Sequence, residues 1–175
     1  MNQKYIITGA PGTGKTAIIN ELKNKGYSCA EEISRTIITQ QIASGGDALP
    51  WKNLAAFSRQ VITLRKAQHT NAPQNKIHFF DRGIIDSIAY LKKDGLPINN
   101  ELKEITKTYR YSTTVFYTPI WKEIYINDAE RKEDITTAIE IEKTLLATYT
   151  SFGYSLIEIP KLSVANRVDF ILSKT

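Results

Sequence analysis

The sequence predicts an α/β fold, a five-stranded parallel sheet with helices on both faces. Three observations lead there. Short β-rich, apolar runs alternate with longer amphipathic segments along the whole chain. Strands joined by helices pair in parallel and are covered on both sides. No repeat, low-complexity tract or linker interrupts the 175 residues, so residues 1–175 read as one domain.

The first strand is "KYIIT" (4–8), stopped by "GAPGTG". A helix is expected from about Gly14 to Lys25, ended by Gly26. "YSCA" (27–30) is the second strand. "EEISRTIITQQIA" then places Ile33, Ile37, Ile38 and Ile42 near helical spacing, before the loop 44–50. "NLAAFSRQVITLRKAQHT" predicts a long helix with Leu54, Phe57, Val61 and Leu64 on its buried face. "IHFF" (77–80) is the third strand, "IIDSIAYLKK" a helix, and "DGLP" its stop. A polar helix near 99–109 precedes the strand "TTVFYT". The charged segment 119–134 reads as irregular and lid-like, followed by a helix over about 132–152. "SLIEI" is the fifth strand, and a helix near 163–173 closes the chain.

Composition narrows the function. Hydrophobic residues are 42% and charged residues 23%, ordinary for a soluble domain. The formal charge of +5 suits an anionic small ligand. No long Lys/Arg block accompanies it, which argues against a nucleic-acid partner. The single cysteine, Cys29, excludes an internal disulfide and fits a reducing compartment. With only His69 and His78 beside it, no Cys/His zinc set can be assembled. No apolar run approaches the roughly 20 residues of a membrane span. A cytoplasmic protein is the expectation.

Ligands of parallel α/β sheets bind beyond the carboxyl ends of the strands. The first strand ends in "GAPGTGKT", which fits G-x-x-x-x-G-K-[ST] in the required strand-to-helix setting. Gly9, Ala10, Pro11, Gly12, Thr13, Gly14, Lys15, Thr16 and Ala17 are therefore expected to bind a nucleotide. The glycines let several N–H groups converge on phosphate, and the helix adds its positive end. Lys15 offers a charge to the β/γ-phosphates and Thr16 a hydroxyl to Mg²⁺. No guanine-reading N-K-x-D occurs, so ATP is preferred over GTP.

The third strand ends in Asp81, the expected second Mg²⁺ ligand; its structural alternative is a helix N-cap. Arg82 follows, where many motor ATPases carry a water-orienting glutamate. An arginine cannot act as a base, but it can hold a phosphate or an acceptor in two parallel bonds. Asp81–Arg82 therefore points to transfer onto a held acceptor, with a structural salt bridge as the alternative for Arg82. After the second strand, Glu32 and Arg35 are expected on one helical face, where Glu32 could take a hydroxyl proton and both could hold the acceptor. In "NDAERKED" (127–134), Arg131 is the candidate cation over the transferring group, against a solvated charge run. Lys161, after the last strand, is a weaker candidate for the base of the nucleotide. Trp51, Trp121, Cys29 and His78 read as packing residues.

With these residues assembled, the chain resembles the small AAA-type P-loop family of predicted ATPases related to the nicotinamide riboside kinase domain of bacterial NAD-regulator proteins. It is more distantly similar to the nucleoside and nucleotide kinases. The resemblance runs through "GAPGTGKT", "EISR", "FFDRGIIDSIAY", "PIWKEIYINDAERKED" and "YSLIEIPKLSVANRVDFIL". It implies a P-loop NTPase fold of the kinase type, with Lys15, Thr16 and Asp81 serving ATP and Mg²⁺. It further implies that Glu32, Arg35 and Arg82 face the acceptor and that Arg131 belongs to the lid. The chain departs from ring-forming relatives in lacking a paired acid after Asp81, and from the riboside kinases in having no glycine after Asp128. Two functions follow: a small-molecule kinase, or a nucleotide-dependent binding protein with slow hydrolysis, whose polar helix near 99–111 would meet a protein partner.

Overall fold

The computed structural model describes residues 3–124 and 135–175. Five strands form one sheet: β1 (Lys4–Thr8), β2 (Ser28–Ala30), β3 (His78–Asp81), β4 (Thr114–Tyr117) and β5 (Ser155–Glu158). The α-helices are α1 (Lys15–Asn24), α2 (Ser34–Ser44), α3 (Leu54–Asn71), α4 (Ile84–Lys93), α5 (Asn100–Thr108), α6 (Ile135–Ser151) and α7 (Val164–Leu172). A short 3₁₀ turn covers Lys122–Ile124, inside the segment expected to be irregular. The strand order is β2-β3-β1-β4-β5, and every pairing is parallel.

Strand alternation builds the two layers of the core. Ile7, Phe79 and Phe116 point to one face, beneath Ile18, Ile19 and Leu22 of α1 and Val168 and Ile171 of α7. Their neighbours Ile6, Phe80 and Val115 point to the other, beneath Ile84, Ile85 and Ile88 of α4 and Ile141, Leu145 and Tyr149 of α6. All of these side chains are buried, each contributing roughly 1.5–3 kcal/mol of transfer free energy. Strands apolar on both sides need a helix layer on both sides, and the sequence supplies them.

The topology places the chemistry. Central β1 lies between β3 and β4, and Ile7 pairs with Asp81. Asp81 therefore emerges beside the glycine-rich loop that follows Thr8.

Two expected elements are corrected. The second helix begins at Ser34, not Glu31, because the Glu32 carboxylate accepts the Ser34 N–H at 2.9 Å and holds the chain non-helical before it. The buried stripe of α3 is Phe57, Ser58, Val61, Ile62 and Arg65; Leu64 is 42% exposed.

His78 is structural, as expected. It is buried on β3, its Nδ1 is 2.8 Å from Ser28 Oγ, and its Nε2 has no partner among the described residues. Burial first, then Lys4 and His69, hold its pKa down to about 4. An unfolded histidine titrates near 6.5. Between those values the unfolded chain binds more protons, so stability should fall as pH drops from about 6.5 to about 4. The contribution is on the order of 2 kcal/mol. Urea unfolding at pH 7 and 4.5 should show His78→Gln losing that much less than wild type; equal losses would contradict the assignment.

Candidate active site

The loop after β1 takes its shape from its glycines. Gly9, Gly12 and Gly14 have φ of +144°, +80° and +85°. A Cβ on Gly9 would stand 2.3 Å from Thr118 Oγ1, so this position is closed to any side chain. Thr13 Oγ1 donates to the Ala10 carbonyl at 2.9 Å and lies 2.6 Å from Thr118 Oγ1, while Thr118 Oγ1 also reaches the Thr8 carbonyl at 3.2 Å. Arg167 of α7 donates to the Thr13 carbonyl at 3.1 Å. The Thr13 side chain is thus a strut behind the loop and does not face the ligand space.

Lys15 begins α1 and is buried, its Nζ donating to the carbonyls of Gly9 at 3.0 Å and Ala10 at 2.7 Å. Burial, then the Arg82 charge, pull its pKa down to about 7 against the opposing influence of Asp81, Glu32 and Asp86. The loop thus presents an amine whose ammonium form an arriving polyphosphate would favour.

A cleft of about 400 Å³ opens in front of it. Pro11, Gly12, Gly14, Lys15, Thr16 and Ala17 form one wall. Asp81, Arg82, Asp86, Ser87 and Tyr90, from the end of β3 and from α4, line the cleft too, as do Glu32 and Arg35. Ile38, Pro50, Leu54, Phe57 and Val61 add an apolar part to the lining.

Asp81 is 3% exposed, and its Oδ1 has no hydrogen-bond partner among the described residues. Burial raises its pKa, with Lys15 and Arg82 opposing. Gly83, not Asp81, caps α4, so the N-cap alternative fails. Asp81, whose Oδ1 is buried without a partner among the described residues, and exposed Thr16 line the same cleft. A carboxylate with a hydroxyl is a hard-oxygen donor set that suits Mg²⁺. Among the described residues no cluster of three or more His, Cys, Asp or Glu could hold a metal by itself, so such an ion would need further ligands from substrate or water.

Arg82 is the unusual residue. It has φ +69°, a left-handed conformation rare for a residue with a side chain. Its Nη1 lies 3.4 Å from Asp86 Oδ1 and its guanidinium 5.9 Å from the Tyr90 ring centroid. Burial works to lower its pKa, but Tyr90, Asp86, Glu32 and Asp81 outweigh it, so the cation is secure. The salt bridge weighed as an alternative exists, and the same side chain lines the cleft.

Glu32 lies before α2, so it does not share a helical face with Arg35. Its ion-pair partner is Arg65 of α3, with Nη2 3.9 Å from Oε1. Burial pushes the Glu32 pKa up, but Arg82, the Ser34 hydrogen bonds and Arg65 outweigh it and hold the carboxyl below its ordinary value. Arg35 is exposed at the cleft mouth, and Glu31 is turned outward to pair with Lys23. Lys161 is exposed beyond β5, is not among the residues lining the cleft, and acts electrostatically on Glu142. Asp128, Arg131 and Lys132 lie outside the described residues. Trp51 is 57% exposed and, like half-buried Trp121, is not part of the cleft lining. Cys29 is half-buried, and burial pushes its thiol up to about 11, away from nucleophilic chemistry.

Two cleft residues were not foreseen. Asp86 accepts from Thr8 Oγ1 at 2.6 Å, the Gly83 N–H at 2.7 Å and the Tyr149 hydroxyl at 2.5 Å, while also facing Arg82. Arg65, 1% exposed, donates to the backbone carbonyls of Asp81 and Arg82. The only sequence signal for Asp86 was its place five residues after Asp81 in "DRGIID", on the buried face of α4.

A family model for an AAA domain matches residues 4–167. The chain belongs to that family. Family membership and architecture agree: the fold is that of the P-loop nucleoside and nucleotide kinases. The structure of deoxyadenosine kinase from M. mycoides superposes with a TM-score of 0.71 at 18% identity, covering 98% of this chain and 97% of that one. The NadR protein in complex with NR gives 0.70 at 17% identity, covering 98% of this chain and 51% of that one. Shikimate kinase from Acinetobacter baumannii gives 0.58 at 15% identity, covering 99% and 92%. A search of curated proteins returns no match. Among the described residues, no helix of this family member is long and apolar enough to cross a membrane.

Proposed function

We propose that the protein is an ATP-dependent kinase that passes the γ-phosphoryl group to a hydroxyl of a small nucleoside-, nucleotide- or riboside-like acceptor. One observation carries the reading: the carboxylate of Glu32 and the guanidinium of Arg82 line the same cleft as Lys15 and Thr16, whose lining also has an apolar part. A hydrolase needs a positioned water; this cleft offers a cation and a base around a space large enough for a ring. Neighbours of the same fold are described with dCMP and dCDP, or with NR, bound, and the acceptor class is drawn from them.

ATP would lie on residues 9–17, its polyphosphate met by the loop N–H groups, the head of α1 and Lys15. Thr16 and Asp81 would hold Mg²⁺, which would supply charge neutralisation to the polyphosphate. Lys15 and Arg82 offset negative charge on the transferring group. Arg35 meets the acceptor at the cleft mouth. Glu32, ionised at neutral pH, takes the proton of the acceptor hydroxyl. The acceptor oxygen bonds to the γ-phosphorus, the bond to the β,γ-bridging oxygen breaks, and ADP leaves.

The test is acceptor-stimulated ADP release across nucleosides, nucleotides and riboside-type vitamins. Glu32→Gln should lower the stimulated rate by on the order of 10²-fold, the usual contribution of a positioned base, with ATP affinity little changed. A variant as fast as wild type would remove the base role and leave an acceptor that is already a phosphate.

A further inference from the structure

A buried guanidinium survives only with partners, and those of Arg65 are specific. Its Nη1 donates to the carbonyl of Asp81 at 3.0 Å and that of Arg82 at 2.7 Å. Its Nη2 lies 3.9 Å from the Glu32 carboxylate, whose same oxygen accepts the Ser34 N–H at 2.9 Å. The carbonyl at 2.7 Å belongs to the residue with φ +69°. A side-chain-bearing residue keeps such a conformation only where its surroundings over-determine it. Here the Arg82 N–H donates to the Ile7 carbonyl at 3.0 Å and its own carbonyl is gripped by Arg65.

We propose that Arg65 is a positioning residue that sets Glu32 and Arg82 in one geometry, its planar fork tying the backbone of the phosphate clamp to the carboxylate of the base. The roles given to those two groups rest on the kinase reading above. Arg65 need not touch the reacting atoms. It fixes the turn from which the Arg82 side chain departs and the place of the Glu32 oxygen, so the two move together or not at all. An ammonium at this position could not span two carbonyls and a carboxylate.

The experiment uses the full chain carrying Arg65→Met or Arg65→Lys. Backbone hydrogen exchange, followed without acceptor, should rise at residues 80–84 and 31–35 and stay at the wild-type rate in α1 and β4. A rise spread over the whole chain, or none, would overturn the assignment. ADP release is then measured with ATP, Mg²⁺ and the best wild-type acceptor from a panel of ribonucleosides, deoxynucleosides and nicotinamide riboside. Arg65→Met should lower kcat by on the order of 10²-fold, the effect of a small misplacement of reacting groups, with ATP affinity within about threefold. The double variant Arg65→Met/Arg82→Ala should be slower than Arg82→Ala by less than the factor Arg65→Met costs on its own, since part of the Arg65 effect runs through Arg82 and the rest through Glu32. Losses that multiply would overturn the coupling, as would full recovery by Arg65→Lys. If wild type shows no acceptor-dependent release while exchange rises only at the two named segments, the kinase reading fails and the positioning assignment stands.

Discussion

Lys15→Ala should abolish tight ATP binding and, with it, turnover, while the domain stays folded. Losing a charge-assisted contact in a desolvated site costs roughly 2–5 kcal/mol, a factor of about 30 to several thousand. Lys15 belongs at the upper end, because its amine sits within the loop, 7% exposed, with Asp81, Glu32 and Asp86 acting on it electrostatically. The fold should survive for two reasons. The loop keeps the struts at Thr13–Thr118 and Arg167–Thr13. Removing an amine whose pKa burial has pulled down to about 7 also relieves a desolvation cost. Calorimetric ATP binding beside thermal unfolding checks both halves. Unchanged affinity would remove residues 9–17 as the nucleotide site; a collapsed melting transition would make Lys15 a structural residue.

Arg82→Ala should separate binding from transfer. Arginines that act on the transferring phosphoryl group are worth on the order of 10³-fold or more in kcat. Arg82 reaches the cleft from a left-handed turn, braced by Asp86 and secured as a cation by Tyr90, Asp86, Glu32 and Asp81. It is not part of the loop wall. ATP affinity should therefore be nearly retained while acceptor-stimulated ADP release falls by roughly that factor. Arg82→Lys should recover little, because an ammonium lacks the fork and the flat face beside Tyr90. Asp81→Asn should act differently, weakening every nucleotide-dependent activity and shifting the Mg²⁺ requirement, since its carboxylate oxygen is the orphaned one. Equal transfer by wild type, Arg82→Ala and Arg82→Lys would reduce Arg82 to the Asp86 ion pair.

How much of this was legible in the sequence follows from the range of the interactions. The phosphate loop is a contiguous backbone motif, so its residues declare themselves. Asp81 and Arg82 were legible because a strand end has only one place to put its next side chains, and the strand itself was clear. The five strands appeared because each is short, apolar and bounded by turn residues. Contacts between distant segments were not legible. Thr13 meets Thr118, Thr8 meets Asp86 and Arg167 meets Thr13, pairs no local pattern connects. Arg65 was hidden by its neighbour: helical periodicity preferred Leu64 for the core, whereas the polar lining of the cleft needed a cation at the next position. Glu32 was found as a residue but misplaced as a helix member, since a carboxylate that accepts the N–H of Ser34 delays the helix it was expected to begin.

The fate of the γ-phosphoryl group decides most directly between a kinase and a nucleotide-dependent binding protein. With γ-labelled ATP, Mg²⁺ and the acceptor panel, label should appear covalently on a sugar-hydroxyl acceptor in wild type and be lost from it in Glu32→Gln and Arg82→Ala, with ATP still bound in both. Label released only as inorganic phosphate, at a rate no acceptor changes, would contradict transfer and mark the cleft as a hydrolytic switch.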